Sequence, residues 1–580
     1  MIPYLSSAVE LYLRQMLPWD EFFELRGGAG TDVRAERETL ETVLQTAAKI
    51  CSELEPSLRE SWHQEAKLVD GEVVHPPAIA KAYQTLAEAG LVGFGVAEAY
   101  GGYLLPSWVS NVILQMIARA DAGLMTIVGL QAGVAEDIQI YGSDPLKERY
   151  LPGFASGELM GAMDLTESQA GSDLGAIRTR ATAREGDGEG EAVLDGEKIF
   201  ITNGGAQVHL VLARDDDTYE KSQGTTHGLS LFLCPRTLPD GTPNGVRVVR
   251  LEEKLGIHGS PTAAIAFEKA LAWRIGEKGA GFRAMLTLMN NARLGVAAQA
   301  VGIAEAALDS AVRYARERKQ FGAPIAEQPL MKNLLARMVT ALEGSRALLY
   351  RACALVDRNR AILAFLAREK LSSEERTHWL AIHERNDVRI RLLTPLAKYL
   401  ATESCIDVTT AAIQVHGGLG FMAESVPGKL HADAIITTIY EGTSQIQVSF
   451  ALKEVGKGAL SVVFEEVKRE LESLKRPELA PYAERVRNGM DLMMGAAGAL
   501  VQDMGYALLS AQSLAENLAS VIVSAELLMQ AERDPGRLDV AASWVERRMV
   551  DLEGRTGRIK SGSPDLIARC ARMVAAAVPE

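Results

Sequence analysis

One carboxylate stands out among the residues whose types could carry chemistry. The apolar run IITTIY leads directly to Glu441, which Gly442 follows, within the segment 414–447 (QVHGGLGFMAESVPGKLHADAIITTIYEGTSQIQ). A lone carboxylate in an apolar setting has a raised pKa, which makes Glu441 a candidate general base. Glu441 is equally suited to the first turn of a helix, where a negative charge is favourable. Earlier in the segment, Gly417 and Gly418 allow the backbone to approach a ligand closely.

The segment 163–174 (MDLTESQAGSDL) gathers hydroxyl side chains around Gly171. Small residues of this kind expose backbone N–H groups, which suits a phosphate or the edge of a heterocycle. A polar connecting loop would have the same composition. The segment 198–205 (KIFITNGG) predicts a strand on which Phe200 and Thr202 share a face, because side chains alternate along a strand. These two residues could cover a flat ring and donate to it, but an ordinary strand with an Asn-Gly turn has the same pattern.

A third segment, residues 313–325 (RYARERKQFGAPI), closes a long amphipathic helix with the cations Arg316, Arg318 and Lys319. Cations at a helix C-terminus are favourable in themselves, because they complement the helix dipole. The tip that follows, with Phe321 at its centre, could equally present Arg318 to a phosphate across a subunit contact.

Composition narrows the class of protein. The 580 residues carry a formal net charge of -14, which argues against nucleic acid as the main partner. The five cysteines form no CxxC pair, so neither a disulfide framework nor a metal site is expected. Walker A, GxGxxG, HExxH and GxSxG sequences do not occur, which disfavours nucleotide hydrolysis, a Rossmann site, a zinc peptidase and a serine hydrolase. A secretory signal and a membrane-spanning helix are not expected either, so a cytoplasmic, bacterial-type location is predicted.

Hydrophobic periodicity divides the chain into four parts. Residues 1–160 place apolar residues at three- and four-residue spacings, which predicts an N-terminal helical domain. Short β-branched runs separated by Asp, Gly, Pro and Asn predict an antiparallel β domain over 161–272. The helical period returns in 273–455 and continues in 456–580, which forms an additional helical domain. The predicted fold class is therefore α+β and mostly α.

The order and spacing of these segments resemble the acyl-CoA dehydrogenase family over roughly residues 40–455. The resemblance rests on LTESQAGSDL, KIFITNGG, KLGIHGSPT, the helix around Arg293, ARERKQFGAPI, QVHGGLGF and IYEGTSQIQ. The chain length and the tail after residue 455 are most similar to the long subgroup that includes 3-methylmercaptopropionyl-CoA dehydrogenase. The family implies an N-terminal helical domain, a middle antiparallel β-barrel or sandwich and a C-terminal helical bundle, which bind FAD without a Rossmann fold.

The resemblance implies FAD-dependent α,β-dehydrogenation of an acyl-CoA thioester to the trans-2-enoyl-CoA. Glu441 matches the family base that abstracts the α proton, while the β hydride passes to flavin N5 and the electrons pass on to an electron-transfer flavoprotein. Some relatives carry the base directly before the residue that matches Arg293, where this chain has Ala292. An acyl-CoA oxidase that uses oxygen is one alternative.

The other alternative is a non-metabolic, DNA-associated flavoprotein of the same superfamily. It requires a basic tail, and residues 456–580 hold 16 basic and 18 acidic residues. Phosphate binding by a segment of that composition is disfavoured.

The resemblance also implies the site residues. It assigns FAD contacts to Met163, Leu165, Thr166, Gly171, Ser172, Phe200, Thr202, Arg318, Gln320, Phe321, Gln328, Gln414, Gly417, Gly418, Thr443 and Gln445. It assigns substrate contacts to Ser172, Asn290, Arg293, Tyr440, Glu441 and Gly442. Arg318, Gln320 and Phe321 match residues that reach the FAD of a neighbouring subunit, so a homodimer or homotetramer is expected. Phe200 stands where many members have Trp, and Pro329 where a Gln often contacts FAD, with Gln328 displaced by one position.

Overall fold

The computed structural model describes residues 4–28, 30–184, 190–501 and 503–577, without the side chains of residues 287, 288, 497, 499 and 501. Contacts divide the chain into two compact units. The barrel unit consists of Met1–Tyr4 and Leu44–Gly295, and the helical unit of Leu5–Val43 and Val296–Glu580. Helices make up 67% of the structure, which confirms the mostly helical class.

The chain starts with short helices and one long amphipathic helix. These are α1 (Ser7–Leu11), a π-helical turn (Tyr12–Met16), α2 (Trp19–Gly27) and α3 (Val33–Glu60), the last of which begins in the helical unit and ends in the barrel unit. The barrel unit continues with β1 (Lys67–Val69), β2 (Glu72–Val74), α4 (Pro77–Glu88), α5 (Ser107–Ala120), α6 (Ala122–Tyr141) and α7 (Asp144–Ser156). Asp121 caps α6 by accepting a hydrogen bond from the N–H of Leu124 at 2.8 Å, which satisfies one of the free amides of the first turn.

Seven strands of the described residues then form one sheet that closes on itself. They are β3 (Gly161–Asp164), β4 (Arg180–Ala183), β5 (Glu191–Thr202), β6 (Val208–Asp215), β7 (Leu229–Pro235), β8 (Val246–Leu251) and β9 (Thr262–Ile275), with the short helix α8 (Tyr219–Ser222) between β6 and β7. Strand β6 pairs with β4, β4 with β5, β5 with β9, β9 with β7, and β7 with β6. This ring of pairings makes a barrel, and β3 and β8 extend it at β6 and β9.

The prediction of an antiparallel β domain holds for most pairs and is wrong for two. Strands β3 and β4 each run parallel to β6. Parallel neighbours need long crossover connections, and the chain forms β4 and β5 between β3 and β6, and β5 between β4 and β6. Such crossovers leave no local sequence signal, whereas tight hairpin turns do.

Strand β6 is buried on both faces, because the barrel is packed on its inside and covered on its outside. Val211 and Ala213 belong to an apolar cluster with residues of β5 and β9, including Leu194 and Phe267. Leu210, which alternates with them, belongs to a second cluster with residues of α6 and α7. This double burial makes β6 a near-continuous apolar run and fixes its register, since a shift of one residue would exchange the two faces.

The helical unit is built from long helices. They are α9 (Gly281–Glu317), which begins in the barrel unit, α10 (Pro329–Arg368), α11 (Ser373–His416), α12 (Val426–Thr437) and α13 (Ser444–Gly456), with a small hairpin of β10 (Lys319–Gln320) and β11 (Ala323–Pro324) after α9. Beyond the joint at Gly458, whose φ is +92°, come α14 (Ala459–Ser473), α15 (Ala480–Val501), α16 (Met504–Leu509), α17 (Ala511–Arg533), α18 (Leu538–Ser561) and α19 (Asp565–Ala577). Contacts place this tail in the same compact unit as the bundle, and the division of the chain into four domains stays a prediction.

Buried ion pairs and a close helix contact join the tail to the bundle. Arg351 of α10 pairs with Glu526 of α17 at 3.1 Å and with Glu470 of α14 at 2.9 Å, and Arg351 and Glu526 are buried. A Cβ atom at Gly344 would lie 2.1 Å from the ring of Trp544, so α10 and α18 can approach this closely only at a glycine.

One helix of the described residues, α17, is long and apolar enough to cross a membrane. However, 89% of its most apolar 18-residue window is buried inside the protein. A core helix of a large unit has the same composition, so α17 is interpreted as the centre of the tail.

Candidate active site

The predicted site residues fall into both units. The barrel unit carries those of the 163–172 loop, the end of β5 and the start of α9, and the helical unit carries those from Arg318 onward.

In the barrel unit, a buried ion pair organises the loop that follows β3. The ammonium group of Lys198 is fully buried and donates to Glu167 Oε1 at 2.9 Å and to the carbonyls of Leu165 at 2.9 Å and Leu212 at 2.8 Å. Glu167 also accepts from the Thr179 hydroxyl at 2.6 Å and from the N–H of Arg178 at 2.7 Å. The loop is therefore tied to β5, β6 and the segment before β4.

Burial and charge have opposite effects on the pKa values of Glu167 and Lys198. Burial alone would raise the pKa of Glu167, but Lys198 and the hydrogen bonds from Thr179 and Arg178 lower this pKa below its ordinary value. Burial lowers the pKa of Lys198, and Glu167 opposes that effect. The contacts favour the ionised pair, because each charge has lost its water and is stabilised by the other.

The structure places the predicted loop residues with different accessibility. Gly171 and Ser172 are exposed, and a Cβ atom at Gly171 would meet nothing within 4 Å, so a ligand can approach the backbone there. Thr166 is half-buried, and its carbonyl accepts from the N–H of Ile199 at 2.9 Å. Met163 and Leu165 pack against the apolar core instead, so a cofactor would meet mainly their backbone.

The end of β5 presents an aromatic ring. Phe200 is 60% exposed, although its backbone lies in the left-handed region with φ of +58°, at a register shift in the pairing of β5 with β9. Ile201 is buried and Thr202 is half-buried, so Phe200 and Thr202 are accessible on either side of a core residue. Asn203, next in the chain, is buried and donates to the carbonyl of Gly161 at 3.2 Å. An exposed ring beside a hydroxyl fits the flat face of a heterocycle.

In α9, two of the predicted substrate contacts interact with each other. Arg293 is only 3% exposed, and its Nη1 donates to Asn290 Oδ1 at 2.9 Å. Ala292, at the position of the alternative base, packs against the apolar core and has no group that could accept a proton. The substrate contacts of Asn290 and Arg293 stay predictions.

In the helical unit, Glu441 lies in the turn between α12 and α13. Its backbone is left-handed with φ of +55°, and Gly442 follows with φ of +94°. The Nζ atom of Lys398 on α11 donates to the carbonyl of Gly442 at 2.9 Å. The Nε2 atom of Gln447 donates to the carbonyls of Glu441 at 3.0 Å and Gly442 at 2.9 Å. The turn that carries the predicted base is thus held through its backbone.

The residues on either side of Glu441 are also fixed in place. The hydroxyl of Tyr440 donates to Gln299 on α9. Thr443 is the N-cap of α13 and accepts from the N–H of Ile446, so Glu441 precedes the helix and is not its first-turn acid. Gln445 lies exposed on the first turn.

A second group of predicted residues lies on the surface of the helical unit. Arg318 and Gln320 are exposed, and Phe321 is 95% exposed at the tip of the β10–β11 hairpin, where φ is positive at both Phe321 and Gly322. Positive φ at both central residues defines the tight hairpin turn that matches strand twist. A bulky aromatic side chain in that conformation and open to solvent is costly unless something covers it.

The structure brings this hairpin near the end of α11. Tyr314, one turn before Arg318, stacks on His416 with ring centroids 4.4 Å apart. Gln414, Gly417 and Gly418 are exposed around His416, and a Cβ atom at either glycine would meet nothing within 4 Å. Gln328 is the N-cap of α10 and is half-buried. An arginine, glycine backbone that a ligand can approach and an exposed aromatic ring together fit a nucleotide diphosphate, so the residues present fit a flavin dinucleotide.

Sequence reasoning missed the four buried polar residues that hold these loops: Lys198, Glu167, Lys398 and Gln447. One available signal was Lys398, a lysine inside the otherwise apolar stretch TPLAKYLA. A lysine is almost never fully buried unless it is paired, so such a position predicts a buried partner.

Comparisons with known proteins point to one family. Family models described as the acyl-CoA dehydrogenase N-terminal, middle and C-terminal domains match residues 37–158, 162–270 and 279–456. The 3-methylmercaptopropionyl-CoA dehydrogenase of Ruegeria pomeroyi is 31% identical over 523 residues, which cover 87% of this chain and 81% of that protein.

Solved structures extend the comparison to the whole fold. A structure of the electron transferring flavoprotein of Acidaminococcus fermentans is similar with a TM-score of 0.59 and 29% identity, over 72% of this chain and 97% of that one. The structure of Caenorhabditis elegans ACDH-11 in complex with C11-CoA has a TM-score of 0.79 over 97% of this chain and 94% of that one. Its identity is 22%, so it supports the fold alone, tail included.

The buried pair in the barrel unit leads to a stability prediction. The Lys198→Met variant leaves Glu167 buried without its cation, so we expect the free energy of unfolding of the barrel unit to fall by about 3–5 kcal/mol. Chemical denaturation followed by circular dichroism measures this change. Lys221→Met, which removes an exposed lysine of the same unit, is the control and should change stability by less than about 0.5 kcal/mol. Equal stability of the two variants would show that the pair does not support the loop.

Proposed function

Because the chain belongs to the acyl-CoA dehydrogenase family, we propose that it oxidises an acyl-CoA thioester to the trans-2-enoyl-CoA with Glu441 as the base. The chain is an oxidoreductase that acts on the CH–CH bond of acyl-CoA, and its cofactor is FAD. The observation that carries the choice of base is the turn at Glu441: a non-glycine residue is held in the left-handed conformation by hydrogen bonds to its own and the next carbonyl. The alternative family position holds Ala292, which cannot act as a base.

In the proposed mechanism, Glu441 removes the proton α to the thioester carbonyl. That proton is weakly acidic, so negative charge that develops on the carbonyl oxygen must be stabilised by a hydrogen-bond donor already in place. The resemblance assigns this role to the backbone N–H of Glu441, whose orientation depends on the conformation of the turn. Bound acyl chain would exclude water and raise the pKa of Glu441 toward that of the activated α proton. When bound, FAD supplies the acceptor for the β hydride at N5.

The other predicted residues would bind and orient FAD and the substrate. Thr166, Gly171 and Ser172 would contact the flavin through exposed backbone and hydroxyl groups, with Phe200 and Thr202 against its ring. The set Gln320, Phe321, Gln328, Gln414, Gly417, Gly418, Thr443 and Gln445 would join Arg318 in holding the dinucleotide. The 95% exposure of Phe321 supports a role for the hairpin in reaching a second copy of the chain, in a homodimer or homotetramer. Tyr440 and Gly442 would line the acyl group beside Glu441.

The electron acceptor proposed is an electron-transfer flavoprotein. Support comes from the family and from the relative of 31% identity, which is named a dehydrogenase rather than an oxidase. One candidate for the acyl group is 3-methylmercaptopropionyl, from the name of that relative.

We expect Glu441→Gln to retain FAD and to lose flavin reduction by acyl-CoA. Loss of a general base slows the step by at least about 10²–10⁴-fold. Anaerobic bleaching of the flavin absorbance measures the rate, with a panel of short, long, branched, cyclic, aryl and thioether acyl-CoAs. Glu424→Gln, an exposed glutamate between α11 and α12, is the matched control and should leave the rate unchanged. Undiminished bleaching in Glu441→Gln would disprove the assignment.

Arg318→Ala is expected to weaken FAD retention. A hydrogen bond to a charged group contributes about 1.5–3 kcal/mol, so affinity should fall by roughly 10- to 10²-fold. The FAD content after dialysis and the oligomeric state by light scattering are the measurements. The control is Arg316→Ala, an exposed arginine two positions earlier in the chain. If both variants keep their FAD equally, Arg318 does not contact the cofactor.

The acceptor can be tested after anaerobic reduction. A dehydrogenase should be reoxidised slowly by air and rapidly by an electron-transfer flavoprotein. Stopped-flow recovery of the flavin absorbance compares the two acceptors in the same sample. Rapid recovery in air alone would identify an oxidase instead.

A further inference from the structure

Two buried side chains from different helices converge on the turn that carries Glu441. Lys398 on α11 and Gln447 on α13 are both fully buried. Lys398 Nζ lies 2.9 Å from the carbonyl oxygen of Gly442, and Gln447 Nε2 lies 2.9 Å from the same oxygen and 3.0 Å from the carbonyl oxygen of Glu441. One carbonyl therefore accepts from two donors that belong to separate elements.

The backbone of this turn needs such support. Residues with a Cβ atom disfavour the left-handed region, and Glu441 lies there with φ of +55°. Without Lys398 and Gln447, the carbonyls of Glu441 and Gly442 would lose donors that hold them in one direction. The peptide groups could then rotate to a conformation that a residue with a side chain prefers.

Packing leaves the turn little freedom to shift. A Cβ atom at Gly442 would lie 2.7 Å from Gln447 Nε2, so the amide of Gln447 is in close contact with this glycine. Gln447 itself is placed by the first turn of α13, which Thr443 caps. Movement of Glu441 would require both the α11 contact and the α13 contact to break.

We propose that Lys398 and Gln447 are positioning residues for α-proton abstraction, which act by fixing the backbone of Glu441. The proposal rests on the proposed function, because it takes Glu441 as the base. A base works only within hydrogen-bond reach of the proton it removes. The same backbone carries the N–H assigned to the thioester carbonyl, so a change of conformation would displace both groups that act on the substrate.

The test uses the FAD-loaded enzyme with Lys398→Met and Gln447→Met, which keep the side-chain length and remove the donors. Single-turnover reduction of the flavin by butyryl-CoA and by 3-methylmercaptopropionyl-CoA should slow by about 10- to 10²-fold, as expected for a small misplacement of a reacting group. FAD content and the Kd for CoA should stay unchanged, because neither requires the base. If Lys398→Met fails to fold, Gln447→Met, which leaves the buried ammonium group in place, decides the result.

The matched control is Gln530→Met. Gln530 is also buried in the helical unit, but its amide donates to the hydroxyl of Tyr12 at 3.1 Å and accepts from Arg537 at 2.9 Å. This control should lower thermal stability without changing the rate of flavin reduction. It separates the general effect of losing a buried amide from the effect on the base.

A double-variant comparison distinguishes positioning from a merely structural role. In the Glu441→Gln background, Gln447→Met should slow the residual reduction no further, because residues that act as a unit are not additive. An equal slowing in both backgrounds, or wild-type rates in both single variants, would overturn the proposal. Rapid reduction in Glu441→Gln alone would instead overturn the proposed function.

Discussion

A buried ammonium group that donates to backbone carbonyls is the interaction on which both predicted site loops depend. In the barrel unit, Lys198 holds the carbonyl of Leu165 and the carboxylate of Glu167. In the helical unit, Lys398 holds the carbonyl of Gly442. A buried charge is expensive unless every donor finds a partner, so each lysine forces the surrounding backbone into one arrangement. The positions of these loops thus depend on buried residues that are not among the predicted site residues.

Backbone strain occurs at three of the predicted site residues. Phe200, Phe321 and Glu441 are three of the eight non-glycine residues with positive φ in the described part of the chain, and all three are predicted site residues. A residue stays in such a conformation only where its surroundings determine it fully. For Phe200 the support is the barrel strand β5, and for Glu441 it is the contact with Lys398 and Gln447. At Phe200 and Glu441, the strained backbone is therefore accompanied by contacts that hold it in place.

Because the chain is acidic, a few local cations are important for the binding of an anion. Most arginines of the helical unit's interior are used in structure, as Arg351 is with Glu470 and Glu526. Arg318 differs, since it is exposed beside an exposed aromatic hairpin. In a chain of net charge -14, a local cation beside accessible glycine backbone favours binding of an anionic nucleotide. The hairpin and the glycines after α11 provide this combination.

The sequence by itself determined the order of helices, sheet and helices, because hydrophobic period is a local property. Motif order alone also identified the family, which the comparisons confirm, and from it FAD and the candidate base Glu441. Only the tertiary structure decided that β3 and β4 run parallel to β6 and that the strands close into a barrel. It also decided that Lys398 donates to the carbonyl of Gly442, next to Glu441. Lys398 and Gly442 are 44 positions apart, and no local pattern records which distant carbonyl a buried lysine will meet. That choice depends on how whole helices and strands pack, since burial leaves each polar group only the partners that the fold supplies.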